Sequence, residues 1–122
     1  MGAEHVSIVD DDEAVREGVD GLLRSVGLET TAFDSAEDFL GSPHRVTTRC
    51  LILDLWMPGM SGRELQQRLV ADGHRVPIII LTASTEEDAR TRALEAGAVA
   101  FLSKPVDGDT LIAAVKLALT KP

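Results

Sequence analysis

The sequence predicts an α/β domain built on a doubly wound, five-stranded parallel sheet. Segments of strand-like and helix-like periodicity alternate along the 122 residues with short connections. Two of the strand-like runs are apolar on both alternating faces, which is typical of strands that helices cover on both sides. Right-handed crossovers place helices on both faces of such a sheet. We expect a single domain over residues 4–120, because this length leaves no room for two cores.

Five segments have the composition of strands. Four are apolar runs of strand length, and the second in chain order is a weaker stretch rich in β-branched residues. In order, they are Val6–Val9, Leu28–Phe33, Cys50–Leu53, Ile78–Leu81 and Val99–Leu102. The order in which these strands pair does not follow from the pattern alone.

Five helices are predicted, one after each strand. Apolar residues recur at helical spacing in each of them, and glycines at 27, 73 and 97 stand where left-handed C-caps are favoured. Ser61–Glu64 and Ser84–Glu87 have the pattern of capping boxes at helix starts. The helix after Ser84 offers the core mainly alanines, so we expect it to be held weakly and to suit movement.

Composition narrows the function classes. Twelve basic against twenty acidic residues give a net charge of −8, which argues against nucleic-acid or anionic-membrane binding by this segment alone. The single cysteine, Cys50, excludes an intramolecular disulfide and a cysteine-built metal site. No apolar run approaches the roughly 18 residues of a membrane span, and Met1–His5 lacks signal-peptide character. We expect a cytoplasmic domain, with its three histidines on the surface.

Polar side chains follow four of the predicted strands. Asp10-Asp11-Asp12 comes after the first strand, Asp54 after the third, Thr82 ends the fourth and Lys104 follows the fifth. Ligands of doubly wound sheets bind at the carboxyl ends of the strands, so these groups are expected to share one crevice. Close carboxylates without His or Cys suit a hard cation such as Mg²⁺. A carboxylate beside that ion, with a hydroxyl and an ammonium, has the parts for aspartyl-phosphate chemistry.

A structural explanation competes for part of this pattern. An acidic run before a helix also serves as an N-cap and compensates the helix dipole, which accounts for Asp12 and leaves Asp10-Asp11 open. Asp54 is harder to explain in this way, because an unpartnered carboxylate at the end of a buried strand is unfavourable. The joint placement at four strand ends therefore favours a functional site.

Four motifs together resemble one known family. They are Ile8–Asp12, Leu53–Gly62, Leu81–Ala83 and Phe101–Pro105. In this order and spacing they resemble the receiver domain of bacterial two-component response regulators over nearly the whole chain. The resemblance implies a flavodoxin-like receiver fold with sheet order 2-1-3-4-5 and five helices. It also implies a sensor histidine kinase as the partner and Mg²⁺ as the cofactor.

The resemblance implies a role for each site residue. Asp54 would be the phosphoacceptor, loaded from a phosphohistidine of the kinase. Asp11 would ligate Mg²⁺ directly and Asp10 mostly through water, with Asp54 and the backbone carbonyl of Trp56 as the other protein ligands. Lys104 would pair with the phosphoryl group.

The remaining family positions concern the switch. Thr82 would hydrogen-bond the phosphoryl oxygen, Phe101 matches the rotating aromatic residue, and the bond before Pro105 is typically cis. Two positions tune the lifetime of the phosphoryl group, and they hold Trp56 and Ser84 here. Neither is an acid or amide suited to orient an attacking water, so we expect a lifetime well beyond seconds.

Part of the sequence also fits two other functions. Asp10-x-Asp12 also resembles the start of haloacid-dehalogenase-type phosphatases, with Asp10 as nucleophile and Asp12 as acid/base; Ala14, the short chain and an unexplained Asp54 oppose it. A pseudo-receiver acting only as a scaffold is disfavoured by the intact set of site residues.

The sequence thus predicts a phosphorylation-controlled switch and not a metabolic enzyme. By family analogy, the output surface comprises the fourth predicted helix, the fifth strand and the fifth helix, and a homodimer through that surface is expected. Ser35–Leu40 and Met57–Gly62 look most like receivers fused to a helix-turn-helix domain, which indicates control of transcription by a domain outside this sequence.

Overall fold

Five parallel strands form one sheet in the order β2-β1-β3-β4-β5, which confirms the predicted order 2-1-3-4-5. This computed structural model describes residues 5–83 and 86–120. The strands lie within one or two residues of their predicted positions. They are β1 His5–Val9, β2 Glu29–Phe33, β3 Cys50–Leu53, β4 Ile78–Thr82 and β5 Ala100–Ser103.

The described part of the chain contains six helices, one more than predicted. They are α1 Glu13–Ser25, α2 Ala36–Leu40, α3 His44–Thr47, α4 Gly62–Ala71, α5 Glu87–Glu95 and α6 Gly108–Leu119. The additional helix is α3, which has four residues and buries none of them. Because α3 has no apolar stripe, hydrophobic periodicity could not have predicted it.

The core consists of two layers, one on each face of the sheet. One layer joins alternate residues of the central strands to the helices α2, α4 and α5, with Phe39, Leu65 and Ala93 among its members. The other joins the intervening residues to α1 and α6, through Leu23 and Leu111 among others. Every residue of β3 and β4 is buried, as expected for strands covered on both faces.

The helix ends agree with the sequence signals at all but one position. Gly27, Gly73 and Gly97 follow their helices with positive φ, a conformation that favours glycine. Ser61 and Glu64 form the predicted capping box of α4. The box predicted at Ser84–Glu87 is wrong, since α5 begins at Glu87 with Glu86 as its N-cap and no side-chain cap. Ser84 itself lies outside the described residues.

Two histidines expected on the surface are half-buried and in contact. The rings of His5 and His44 stack with centroids 4.4 Å apart, and the His5 ring is within hydrogen-bond distance of the Thr31 hydroxyl, at 2.9 Å. The short helix α3 brings His44 to the amino-terminal end of β1. Because His5 and His44 are far apart in the sequence, this contact could not be predicted from it.

Helix α5 is the most weakly packed of the long helices. It buries one residue, Ala93, whereas α1 buries Val19 and Leu23 and α6 buries three residues. The buried Gln66 amide of α4 donates to the Ala93 carbonyl at 3.0 Å, near the carboxyl end of α5. Helix α5 is therefore joined to the domain mainly near that end. Over the described ranges, none of the helices has the length and hydropathy needed to cross a membrane.

Candidate functional site

Two buried carboxylates lie where adjacent strands end. The Asp10 amide donates to the Phe33 carbonyl and the Asp54 amide to the Val9 carbonyl, both at 3.1 Å. These bonds continue the sheet ladder by one residue and so fix the positions at which the two side chains leave the backbone. Asp10 is 2% exposed and Asp54 is 7% exposed. Asp10 and Asp54 therefore form the base of a crevice at the carboxyl edge of the sheet.

A third carboxylate completes an acidic cluster. Asp10, Asp11 and Asp54 each offer an oxygen atom within 4.8 Å of the others, and Asp11 is exposed. Such an all-oxygen set of three carboxylates fits a hard divalent cation. Asp12 serves another purpose, because it is the N-cap of α1 and its carboxylate accepts from the Ala14 amide at 2.9 Å.

Lys104 bridges the two buried carboxylates. Its Nζ lies 2.7 Å from Asp10 Oδ2 and 3.0 Å from Asp54 Oδ2. Burial raises the pKa of Asp10, and the hydrogen bond from Lys104 offsets that effect only in part. Burial lowers the pKa of Lys104, but its hydrogen bonds to Asp10 and Asp54 outweigh this, and the net effect is a raised pKa. Lys104 is therefore a charged ammonium inside the crevice.

The backbone of Lys104 is bonded to the end of β4. Its amide donates to the Thr82 carbonyl at 2.9 Å, which joins the ends of β4 and β5. The Lys104–Pro105 bond is cis. Thr82 is fully buried at the end of β4, and its backbone pairs with Ser103. The ends of four adjacent strands, β1, β3, β4 and β5, thus lie along one edge of the sheet, as the sequence predicted.

Phe101 lies on the same sheet face as Thr82. Phe101 pairs with Ile80 in the register of β4 and β5, and residues two apart on a strand share a face. The Phe101 ring is half-buried against the core layer that includes α4 and α5. Any displacement of Thr82 or Phe101 therefore bears on the side of the sheet where α5 packs.

The loop after Asp54 passes along the crevice. The Trp56 amide donates to Asp54 Oδ1 at 3.3 Å, while the Trp56 side chain is 58% exposed. The loop then returns to Asp54, because a Cβ added to Gly62 would lie 2.0 Å from the Asp54 carbonyl oxygen. Only glycine fits at position 62, and the start of α4 is thereby packed directly on the Asp54 backbone.

Two contacts at this site were not predicted from the sequence. The Arg16 guanidinium of α1 donates to the Asp10 carbonyl at 2.8 Å, and Glu37 Oε2 of α2 accepts from the Met60 amide at 3.1 Å. Glu37 and Met60 are 23 residues apart, so only the folded arrangement reveals the contact. For Arg16, its position in the first helix after Asp10 is the one signal the sequence offers.

The sheet order and the acidic cluster with its lysine define a receiver-type α/β domain. The family model for the response regulator receiver domain matches residues 6–116, and the chain belongs to that family.

Named relatives agree with this assignment. Response regulator protein TmoT of Ectopseudomonas mendocina is 37% identical over 126 residues, which cover 98% of this chain and 57% of TmoT. Transcriptional regulatory protein FixJ of Bradyrhizobium diazoefficiens is 36% identical over 115 residues, or 94% of this chain and 56% of FixJ. The chain therefore spans little more than half the length of these relatives.

A solved structure gives the same result. Response regulator StyR superposes with a TM-score of 0.89 at 43% identity, covering 97% of this chain and 60% of the StyR chain. The similarity thus extends through the whole sheet and its helices. Both the sequence comparison and the structural comparison therefore place this chain in the receiver-domain family.

Proposed function

We propose that this domain accepts a phosphoryl group on Asp54 from a sensor histidine kinase and thereby acts as a signalling switch. The observation that carries the proposal is the position of Lys104, whose ammonium lies within 3.0 Å of a carboxylate oxygen of both Asp10 and Asp54. A buried carboxylate beside a fixed cation, at the open edge of a sheet, suits a nucleophile that must gain negative charge.

The chemistry follows from the groups around Asp54. A carboxylate oxygen of Asp54 forms a bond to phosphorus while the bond from phosphorus to the donor's imidazole nitrogen breaks, and the imidazole leaves with a proton. Lys104 then pairs with the phosphoryl oxygens, and the Thr82 hydroxyl donates to one of them. Mg²⁺, held by Asp10, Asp11, Asp54 and the Trp56 carbonyl, would supply further neutralisation of phosphoryl charge.

The output of the switch is a changed surface. Thr82 and Phe101 lie on the sheet face against which α5 packs, and α5 buries only Ala93. A shift of Thr82 towards the phosphoryl group would therefore be relayed to α5 and β5. These two elements form, together with α6, the surface through which we propose a homodimer forms. FixJ carries the name transcriptional regulatory protein. We propose that this receiver domain likewise controls transcription, in the cytoplasm, through a domain outside this sequence.

We propose that Trp56 prolongs the phosphorylated state. Its backbone amide donates to Asp54, and its exposed indole carries no acid or amide group suited to orient a water for attack. Ser84, the other lifetime-tuning position, lies outside the described residues and stays a prediction from the family resemblance.

We propose a switch in preference to a phosphatase enzyme. The phosphatase alternative requires Asp12 as a general acid/base, but the Asp12 carboxylate accepts the amides that begin α1. It also leaves the Lys104 contact with Asp54 without a purpose.

Intact-mass spectrometry with acetyl phosphate and Mg²⁺ tests the proposal. We expect one added phosphoryl group on the wild type and on Asp12→Asn, and none on Asp54→Asn or with EDTA. An adduct that persists in Asp54→Asn but disappears in Asp10→Asn would favour the phosphatase instead, and no adduct on the wild type from either acetyl phosphate or a histidine kinase would indicate a scaffold.

A further inference from the structure

Glu37 of α2 contacts the loop that follows the phosphoacceptor. Its Oε2 accepts the Met60 amide at 3.1 Å, across a sequence separation of 23 residues. This loop contains Trp56, whose amide donates to Asp54 and whose carbonyl is a predicted metal ligand. Glu37 is thus a link between α2 and the loop that shapes the site.

The loop is shaped to receive this carboxylate. Gly59 has φ +74, and a Cβ at that position would lie 2.6 Å from Glu37 Oε2. Position 59 thus has no side chain that could clash with Glu37 Oε2, and the Met60 amide donates to the same oxygen atom. Two independent features of the loop, its conformation and its hydrogen bond, meet at Glu37.

The loop has a defined path between its two ends. At the end near α4, the Gly62 amide donates to the Leu55 carbonyl at 3.0 Å, and Ser61 caps the helix. At the start, the Trp56 amide is bonded to Asp54. The contact with Glu37 lies between these two ends, where it limits the positions that the loop backbone can adopt.

We propose that Glu37 is a positioning residue, which by holding the loop from Trp56 to Met60 preorganises the divalent-cation site beside Asp54. The proposal rests on the function proposed above. Glu37 does not touch the cation or the phosphoryl group, and it acts through the loop backbone. Partners that orient a metal ligand typically change affinity by about 10-fold to 100-fold, and we expect the lower value here.

Two substitutions distinguish the effect of side-chain length at position 37 from the effect of its negative charge. Glu37→Asp keeps the charge but shortens the side chain by one methylene, so its carboxylate no longer reaches the Met60 amide. Glu37→Gln removes the charge but keeps a carbonyl oxygen at the same distance. Asp38→Asn is the matched control, because it removes one negative charge from the next residue of α2.

The test is Mg²⁺ titration by isothermal calorimetry, followed in parallel by the fluorescence of Trp56, the single tryptophan. We expect Glu37→Asp to raise the Mg²⁺ dissociation constant about tenfold. Glu37→Gln and Asp38→Asn should each stay within about threefold of the wild type, as expected for a distant exposed charge. Saturating Mg²⁺ should restore phosphorylation of Glu37→Asp by acetyl phosphate.

The outcomes distinguish this inference from the proposed function. Wild-type protein that binds no Mg²⁺ would overturn both. Wild-type binding with an unchanged dissociation constant in Glu37→Asp would overturn the role of Glu37 alone. A lower unfolding temperature of Glu37→Asp without weaker Mg²⁺ binding would also overturn it, because the contact would then serve stability only. If Glu37→Gln and Asp38→Asn weakened Mg²⁺ binding equally, the effect would come from the lost negative charge, and the positioning role of Glu37 would be overturned.

Discussion

The close packing of Gly62 on the backbone of Asp54 and Leu55 predicts a severe effect of a single methyl group. In Gly62→Ala, the new Cβ would lie 2.0 Å from the Asp54 carbonyl oxygen and 2.9 Å from the Leu55 Cα. Ordinary contact begins at 3.4 Å, so the start of α4 or the Asp54 backbone must move by about 1.4 Å. All the nearest atoms belong to the backbone, which no side-chain rotation can relieve.

The size of the effect follows from this displacement. Overpacking of a tight site lowers the free energy of unfolding by about 1–3 kcal/mol. We expect Gly62→Ala to lie in the upper part of that range, which corresponds to a fall of about 10 °C in unfolding temperature. Because Asp54 is displaced together with its backbone, phosphorylation by acetyl phosphate should slow by at least about tenfold. Urea unfolding and intact-mass time courses measure the two effects.

A glycine in open space provides the control. A Cβ added to Gly18, inside α1, meets nothing within 4 Å. Gly18→Ala should therefore stabilise the domain by about 0.5–1 kcal/mol through helix propensity, with phosphorylation unchanged. A Gly62→Ala variant whose unfolding free energy lies within about 0.5 kcal/mol of the wild type would refute the packing argument.

Three further predictions concern the lifetime of the phosphoryl group, the packing of helix α5 and the pH dependence of stability. Trp56→Asn should accelerate loss of the phosphoryl group by about tenfold, with Trp56→Phe close to the wild type; equal rates would disprove shielding. Amides of α5 should exchange at least about tenfold faster than those of α1, since α5 buries one residue, and equal protection in hydrogen-exchange mass spectrometry would contradict weak anchoring. Burial and the neighbouring His44 lower the pKa of His5 below its ordinary value of 6.5. As the pH falls, His5 is therefore protonated at a higher pH in the unfolded chain than in the folded chain. The stability that neutral His5 contributes to the folded state is thus lost as the pH falls below about 6.5. The stability difference between wild type and His5→Gln should therefore decline from about pH 7.5 to about pH 5.5, and a constant difference would disprove it.

The strands and the site were predictable for the same physical reason. Runs such as Cys50–Leu53 and Ile78–Leu81 are apolar on both faces, which few structures other than a covered parallel strand accommodate. The parallel arrangement then brings the residues at the strand ends to one edge. Asp54 and Lys104 are 50 residues apart, yet the sheet alone places their side chains in contact.

The features that were not predicted depend on contacts between distant segments. Helix α3 has no apolar stripe, and Arg45 within it pairs with Asp72 at the end of α4, at 2.9 Å. The stack of His5 on His44 depends on that same helix. The contact of Glu37 with the loop likewise depends on where α2 packs in the fold, for which no local pattern exists. The capping box expected at Ser84 failed because a pattern of polar residues does not fix where a helix begins.

Mapping the modified residue is the direct test of whether Asp54 carries the phosphoryl group. Borohydride reduction converts an aspartyl phosphate to homoserine, which peptide mass spectrometry locates in the chain. After treatment with acetyl phosphate and Mg²⁺, we expect homoserine at position 54 and unmodified aspartates at positions 10, 11 and 12. Homoserine at position 10, with Asp54 intact, would show that Asp10 and not Asp54 is the phosphoacceptor.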